Sequence, residues 1–141
     1  MGTRYFVIIM RILFLYTGNA YRSPFAEALL KKIRPDLDVD SAGLQTVIPV
    51  PEEVRDYLKR LKAVEFLKEG PESIDTKALN GYDLIVAMEL RHMRAVLGKC
   101  PDCKDRIVVW NIKDPYFSNA EDTKKIYRKL ENKIRILAES V

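Results

Sequence analysis

Cysteine, histidine and glycine are scarce in this chain of 141 residues, which has two cysteines, one histidine and six glycines. Cys100 and Cys103 form a single Cys-x-x-Cys pair, and His92 is the only histidine. Because a structural zinc site needs about four such ligands, we predict no metal site. The pair follows Gly98, where a helix is expected to end, whereas a thioredoxin-like pair opens a helix after a strand. We therefore expect a tight turn at the cysteines.

Long apolar runs and runs of one charge are also missing. The longest apolar stretch, residues 6–16, is interrupted by Arg11, is too short to cross a bilayer and lacks the features of a signal peptide. The 24 Lys and Arg residues against 20 Asp and Glu give a net charge of +4, spread along the chain. We predict a cytoplasmic protein that binds neither membrane nor nucleic acid and favours anionic ligands weakly.

One α/β domain over residues 1–141 is the predicted architecture, since 48% apolar residues are enough to fill one core. Strand-like apolar runs alternate with helical periods. The predicted strands are 11–16, 37–41, 82–88 and 106–110, and the predicted helices are 24–34, 51–68, 90–97 and a last helix from Ser118, where Glu121 completes a capping box. This alternation predicts a parallel sheet with helices on both faces, and ligands bind such sheets at the carboxyl ends of the strands.

The segment 16–23 joins the first strand to the first helix and is therefore the predicted ligand site. Its backbone N–H groups and the N-terminus of the following helix favour an anion. We expect Gly18 to adopt a backbone angle closed to other residues, Arg22 to hold two phosphate oxygens, and Ser23 to cap the helix that Pro24 opens. The predicted phosphate-binding residues are Thr17, Gly18, Asn19, Ala20, Tyr21, Arg22 and Ser23. The alternative is a tight turn in which Arg22 faces water.

At this loop the sequence ILFLYTGNAYRSPFAEALL resembles the low-molecular-weight protein tyrosine phosphatases, whose signature is a cysteine, five residues and then Arg-Ser-Pro. The resemblance continues, in the family's order, through Asp40-Ser41-Ala42-Gly43, residues 83–88 and Asp114-Pro115-Tyr116. It implies a four-stranded parallel sheet, no metal or organic cofactor, and a phosphomonoester substrate, usually phosphotyrosine.

The resemblance also implies roles for three positions of this chain. In the family mechanism a thiolate at position 16 takes the phosphoryl group, Arg22 and the loop amides hold its oxygens, and Asp114 protonates the departing phenol. A turn-forming Asp-Pro is the alternative for Asp114. Tyr116 and Phe117 are expected to flank an aromatic substrate ring, and packing of their loop onto the sheet accounts for them equally well.

The residue at position 16 departs from the signature, because it is Tyr16, and Tyr21 stands where many family members have a second cysteine. A phenol of pKa ~10 is a poorer nucleophile than a thiol of pKa ~8.5 in the same field. Its oxygen also lies several ångströms farther from Cα. We predict that the cysteine-dependent reaction is absent or impaired, and that Tyr16 either leaves the loop or partly fills the phosphate pocket.

Several functions are compatible with these residues. The first is a phosphatase-like protein that binds phosphate or a phosphotyrosine-containing ligand, and the second is an active phosphatase with altered chemistry. Arsenate reduction is less favoured, because it needs a loop cysteine and Cys100 and Cys103 lie far along the chain. A nucleotide-binding switch is disfavoured, because the loop lacks the GxxxxGK[ST] pattern. The sequence specifies no oligomeric state.

Two further segments depart from the family pattern. Asp75-Thr76-Lys77 stands where several relatives place a histidine that supports the loop. Residues 1–10 precede the usual start of the family and are interpreted as an N-terminal extension, which either lengthens the first strand, adds an edge strand or reflects an upstream initiation site.

Overall fold

A computed structural model of the chain describes residues 9–18, 22–45, 49–115 and 118–141. The described residues form β1 (Arg11–Tyr16), α1 (Arg22–Ile33), β2 (Asp38–Gly43), α2 (Glu52–Arg60), β3 (Leu84–Ala87), α3 (Leu90–Lys99), β4 (Ile107–Val109) and α4 (Ala120–Ser140). Short 3-10 turns lie at Val64–Phe66, Ile74–Thr76, Leu79–Gly81 and Pro101–Arg106. The predicted single-domain α/β fold is confirmed. Within these ranges, no helix has the length and apolar character needed to cross a bilayer.

The sheet is parallel throughout and has the strand order β2-β1-β3-β4. β1 lies at its centre, and its side chains from Ile12 to Tyr16 are all buried, as expected for a strand covered on both faces. Tyr16 is in register with Gly43 of β2, and Leu15 is in register with Ala87 of β3. The segments that follow β1, β2 and β3 therefore start at the same edge of the sheet, which is where the ligand site is predicted.

Two apolar clusters cover the two faces of the sheet, because successive residues of β1 point to opposite sides. Ile12, Phe14 and Tyr16 pack in a cluster with residues of α1, α2 and α4. Leu13 and Leu15 pack in a second cluster with residues of α3 and the 3-10 turns. The predicted helices on both faces are thus confirmed.

Two of the predicted helix caps are wrong by one or two residues. α1 already includes Arg22, so Ser23 and Pro24 lie inside its first turn instead of at its cap and first position. Proline is tolerated there because the first N–H groups of a helix have no acceptor within it. At α4 the cap is Asn119, whose side-chain oxygen accepts the N–H of residue 122 at 2.8 Å. The hydroxyl of Ser118, the predicted cap, instead donates to the carbonyl of residue 115.

The predicted helix over residues 51–68 is too long, because α2 ends at Arg60. Lys62 has a φ of 56°, in the left-handed region, and the N–H of Ala63 bonds back to the carbonyl of Leu58 at 2.8 Å. Such a residue closes a helix. Phe66 still packs against the core from the 3-10 turn, so the apolar spacing continues beyond the helix.

We expect the core side of α4 to dominate its contribution to stability. Leu130 is fully buried, whereas Ile136 on the same helix is 67% exposed. Leu130→Ala should lower the free energy of unfolding by about 2–5 kcal/mol, because it leaves a cavity. Ile136→Ala, the matched control, should change it by no more than about 0.5 kcal/mol. Urea denaturation of both variants measures the difference, and equal losses would contradict this packing.

Candidate active site

Tyr16 ends β1 with its side chain in the core, where only 1% of the residue is exposed. The ring lies over Gly43 of the neighbouring strand: a Cβ on Gly43 would lie 2.9 Å from Cε2 of the ring. Among the described residues, its hydroxyl has no hydrogen-bond partner of normal geometry. The side chain at the position expected to hold a nucleophile is therefore packed inward against β2.

The surroundings of the Tyr16 hydroxyl disfavour a phenolate. Burial raises the pKa of Tyr16 to about 12, and the backbone of Glu72, which faces the hydroxyl, only partly offsets this. The negative charges of Glu72 and Glu27 raise the pKa further, and the positive charge of Lys77 lowers it. A tyrosine in this setting carries its proton at neutral pH, and in the described part of the chain no basic side chain is bonded to its oxygen to remove it.

An ionic cluster lies beside Tyr16, between α1, β2 and the chain that follows α2. We call it the β2 ionic cluster, and its members are Glu27, Asp40, Lys68, Glu72 and Lys77. Lys68 contacts the carboxylates of Glu27 (3.4 Å) and Glu72, and Lys77 contacts those of Asp40 (2.6 Å) and Glu72 (3.0 Å). The segment Asp75-Thr76-Lys77, which lacks the expected histidine, thus contributes a lysine to this cluster.

Arg22 is buried at the start of α1 and is held by groups from three other parts of the chain. Its Nη1 donates to Oε2 of Glu89 at 2.9 Å and to the carbonyl oxygen of Ile112 at 2.8 Å. Its Nη2 lies 3.4 Å from the hydroxyl of Thr17 and 3.7 Å from Oδ2 of Asp114. The structure therefore brings Arg22 and Asp114 together, and it adds Glu89 as a second carboxylate on the same guanidinium.

The hydroxyl of Thr17 receives hydrogen bonds from Arg91 and His92. Nη2 of Arg91 lies 2.8 Å from it and Nε2 of His92 lies 2.9 Å from it. Nδ1 of His92 accepts the backbone N–H of Glu89, so a neutral ring must carry its proton on Nε2 and donate it to Thr17. Burial and the nearby charge of Arg22 lower the pKa of His92 to about 4, which keeps the ring neutral. His92 therefore positions Thr17 and cannot act as a base toward it.

Sequence reasoning missed Glu89, Arg91 and His92 as members of the site. They begin α3 at the carboxyl end of β3, and parallel strands end at one edge of the sheet. Glu89 and His92 form a reciprocal capping box, in which each side chain accepts the backbone N–H of the other residue. The strand-to-helix junction at residues 87–90 was the available signal, since it was predicted to lie at the same edge as the loop.

Position 18 needs a glycine because a side chain there would collide with the neighbouring chain, and not because the backbone adopts an unusual angle. No described glycine has a positive φ, which corrects the expectation from sequence. A Cβ on Gly18 would lie 2.2 Å from the carbonyl oxygen of Gln45, and the N–H of Gln45 bonds to the carbonyl of Thr17 at 2.8 Å. The chain after β2 therefore runs directly against the loop.

The remaining predicted residues divide between buried positions and positions outside the described residues. Ser23 is fully buried, and its hydroxyl has no partner among the described residues. The expectations for Asn19, Ala20 and Tyr21, and for Tyr116 and Phe117, fall outside the described residues.

A cavity of about 530 Å³ opens beside Asp114, whose side chain is 21% exposed. It is lined by Lys113, Asp114, Ser118, Asp122, Lys125 and Ile126. Within the described ranges, no group of three or more His, Cys, Asp or Glu residues is arranged to hold a metal ion. Asp114 thus lies between Arg22 and a solvent-accessible cavity.

The family model for low molecular weight phosphotyrosine protein phosphatases matches residues 11–141. The chain belongs to this family. The low molecular weight protein-tyrosine-phosphatase Wzb of Salmonella typhi is 29% identical over 139 residues, which cover 93% of each chain. The structure of the phosphatase from T. tengcongensis is 29% identical, with a TM-score of 0.82 over 94% of this chain and 99% of that one. Wzb of Vibrio vulnificus, in complex with benzylphosphonate, shares the fold at 23% identity and a TM-score of 0.83 over 94% and 99% of the two chains.

The buried hydroxyl of Tyr16 makes a testable difference to stability. Tyr16→Phe should leave the free energy of unfolding unchanged or raise it by up to about 2 kcal/mol, because it removes a buried polar group that has no hydrogen-bond partner of normal geometry among the described residues. Tyr82→Phe is the matched control, since the Tyr82 hydroxyl donates to Asp40 at 3.0 Å. It should lose about 1.5 kcal/mol or more, because that bond is to a charged group. Chemical denaturation measures both, and a comparable loss in Tyr16→Phe would contradict the placement of the ring.

The neutral His92 predicts a dependence of stability on pH. Its pKa is about 4 in the folded protein and about 6.5 when unfolded, so only the unfolded state binds the proton between these values. Above about pH 6.5 protonation of His92 does not affect the free energy of unfolding. As the pH drops toward 4, the free energy of unfolding falls by up to about 1.4 kcal/mol per pH unit. Denaturation curves between pH 7 and 5 measure this, and His92→Gln should be flatter over that range. Equal slopes in the two proteins would contradict a buried neutral His92.

Proposed function

We propose that this protein is a phosphatase-like member of its family whose loop at residues 16–23 binds a phosphate group or a phosphotyrosine-containing ligand. We further propose that it lacks, or is impaired in, cysteine-dependent phosphomonoester hydrolysis, because Tyr16 stands at the position of the nucleophile. The observation that carries the proposal is the burial of the Tyr16 ring over Gly43. We also propose that the protein is cytoplasmic, as the sequence predicts.

Attack on phosphorus needs a deprotonated group that reaches the anion. The Tyr16 phenol keeps its proton, with a pKa of about 12, and its ring is packed against β2 with 1% of the residue exposed. To attack, the ring would have to leave the core and lose its proton without a bonded base, and each step costs free energy. These two costs support an inactive or strongly impaired hydrolase.

Binding of an anion is supported by the cationic and polar groups that remain at the site. Arg22 and Arg91 both approach the hydroxyl of Thr17, and Arg22 belongs to the first turn of α1, where the helix dipole favours negative charge. Glu89 now accepts from Arg22 but is 33% exposed, so it can turn to solvent when a phosphoryl oxygen takes its place. Because a carboxylate must be displaced, we expect modest affinity. A protein of the same fold is described in complex with benzylphosphonate.

An active phosphatase with altered chemistry is the second candidate. Asp114 lies 3.7 Å from Arg22, so the carboxyl group at the general-acid position remains beside the group that would hold the phosphate. This alternative needs Tyr16 or another nucleophile to become exposed. Arsenate reduction is less favoured, because Cys100 and Cys103 pack in the cluster on the α3 face while Tyr16 packs on the opposite face.

Turnover of an aryl phosphate separates these candidates. The purified protein should release no more phosphate from p-nitrophenyl phosphate than Arg22→Gln does. Tyr16→Cys should raise the rate at least tenfold, because a thiol is shorter and ionises more readily beside a helix N-terminus and Arg22. Tyr16→Ser is the matched control, since it opens the same space without a thiol and should stay inactive. Steady release by the unaltered protein that is lost in Tyr16→Phe would overturn the inactive reading.

Phosphate affinity tests the binding half of the proposal on the same samples. Titration calorimetry of the unaltered protein with inorganic phosphate should show a heat of binding. Arg22→Gln should abolish this heat. Arg60→Gln, a change on α2 away from the site, should leave it unchanged. Equal affinity in the two variants would contradict a role for Arg22 in binding the anion, whatever the turnover measurement gives.

A further inference from the structure

The two cysteines lie on the face of the sheet opposite Tyr16 and are joined in a disulfide, Cys100–Cys103. Cys100 follows the last residue of α3, and Cys103 lies in the 3-10 turn Pro101–Arg106. The predicted tight turn is therefore the setting of the pair. Nothing in the proposed phosphate site uses these residues.

The two sulfur-bearing residues differ in access to solvent. Cys100 is 5% exposed and borders an open cavity of about 420 Å³, whereas Cys103 is fully buried. A thiol that enters the cavity therefore meets Cys100, with Cys103 behind it.

The groups around the sulfurs suit a reduced pair as well as a disulfide. Oδ1 of Asn80 lies 3.2 Å from Sγ of Cys100, and the carbonyl oxygen of Leu79 lies 3.6 Å from Sγ of Cys103. Both oxygens are hydrogen-bond acceptors. A disulfide has no proton to donate to them, whereas the S–H groups of a reduced pair can donate to both. Nη2 of Arg106 lies 3.3 Å from Sγ of Cys103, where it would stabilise a thiolate.

We propose that Cys100 and Cys103 form a redox-active site that exchanges with dithiol reductants. The thiolate of the reductant attacks Sγ of Cys100 and forms a mixed disulfide, the Cys100–Cys103 bond breaks, and its electron pair leaves on Sγ of Cys103 beside Arg106. The second thiol of the reductant then attacks the mixed disulfide and releases Cys100 as a thiolate. Two protons from the reductant end on the two protein sulfurs, and the reductant becomes a disulfide.

The unaltered protein tests reversibility. Equilibration with mixtures of reduced and oxidised dithiothreitol, followed by alkylation and intact-mass measurement, should show a single transition between zero and two alkyl groups. The reduced protein should keep its far-UV circular dichroism and return to the same intramolecular disulfide on reoxidation. A pair that stays oxidised in pure reduced dithiothreitol, or a fold that is lost on reduction, would contradict the proposal.

Two serine variants test which sulfur is attacked. Cys103→Ser leaves Cys100 at the cavity and should form a mixed disulfide with oxidised glutathione. Cys100→Ser, its matched partner, leaves the buried Cys103 and should react at least tenfold more slowly. Equal rates in two variants with native circular dichroism, or faster reaction of Cys103, would refute the proposed order of attack.

The role of Arg106 is tested by the rate of reduction. Arg106→Gln should slow reduction by dithiothreitol about threefold, because the sulfur of Cys103 leaves as a thiolate and loses the positive charge that contacts it. Lys104→Gln is the control, because it removes one positive charge from an exposed residue of the same turn and should leave the rate unchanged. Equal effects of the two substitutions would show that general charge, and not the contact with Cys103, controls the exchange.

Discussion

The contact between the Tyr16 ring and the bare backbone of Gly43 is the constraint on which the rest of the site depends. The two residues are in register at the carboxyl ends of β1 and β2, and a Cβ on Gly43 would lie 2.9 Å from the ring. Strand alternation points the Tyr16 side chain into the core, and the absence of a side chain on Gly43 leaves room for its ring. The position expected to hold a nucleophile therefore carries a buried, protonated phenol.

Opposite charges around the site are paired with one another. Arg22 is compensated by Glu89 and approached by Asp114, and His92 is kept neutral by burial. On the other side of the phenol, the β2 ionic cluster pairs its lysines with carboxylates. For the phosphate binding that we propose, these contacts mean that the anion would replace a carboxylate on Arg22.

Local sequence predicted the elements of the fold better than it predicted the site. β1 was recognisable because a central parallel strand is apolar on both faces, and α4 because its buried residues recur at helical spacing. Helix ends were missed where a cap depends on which of two adjacent polar side chains finds a free N–H, as at Ser118 and Asn119.

The missed features of the site all depend on long-range contacts. Glu89 meets Arg22 across 67 residues, and His92 meets Thr17 across 75. The close packing of the Tyr16 ring on Gly43 joins two strands that a local pattern does not connect. Arg22 and Asp114 were predicted together through resemblance to a family, and the structure places them 3.7 Å apart. The expectations for residues 19–21 and 116–117 stay predictions.

The ionisation of Tyr16 tests the central claim most directly. Phenolate absorbance near 295 nm, recorded against pH for the unaltered protein and for Tyr16→Phe, isolates this one phenol as the difference between the two curves. A buried phenol over Gly43 predicts that the difference appears only near pH 12. A difference curve with a midpoint at or below about 10, the value for a free tyrosine, would contradict the account, because it would show an exposed or activated Tyr16.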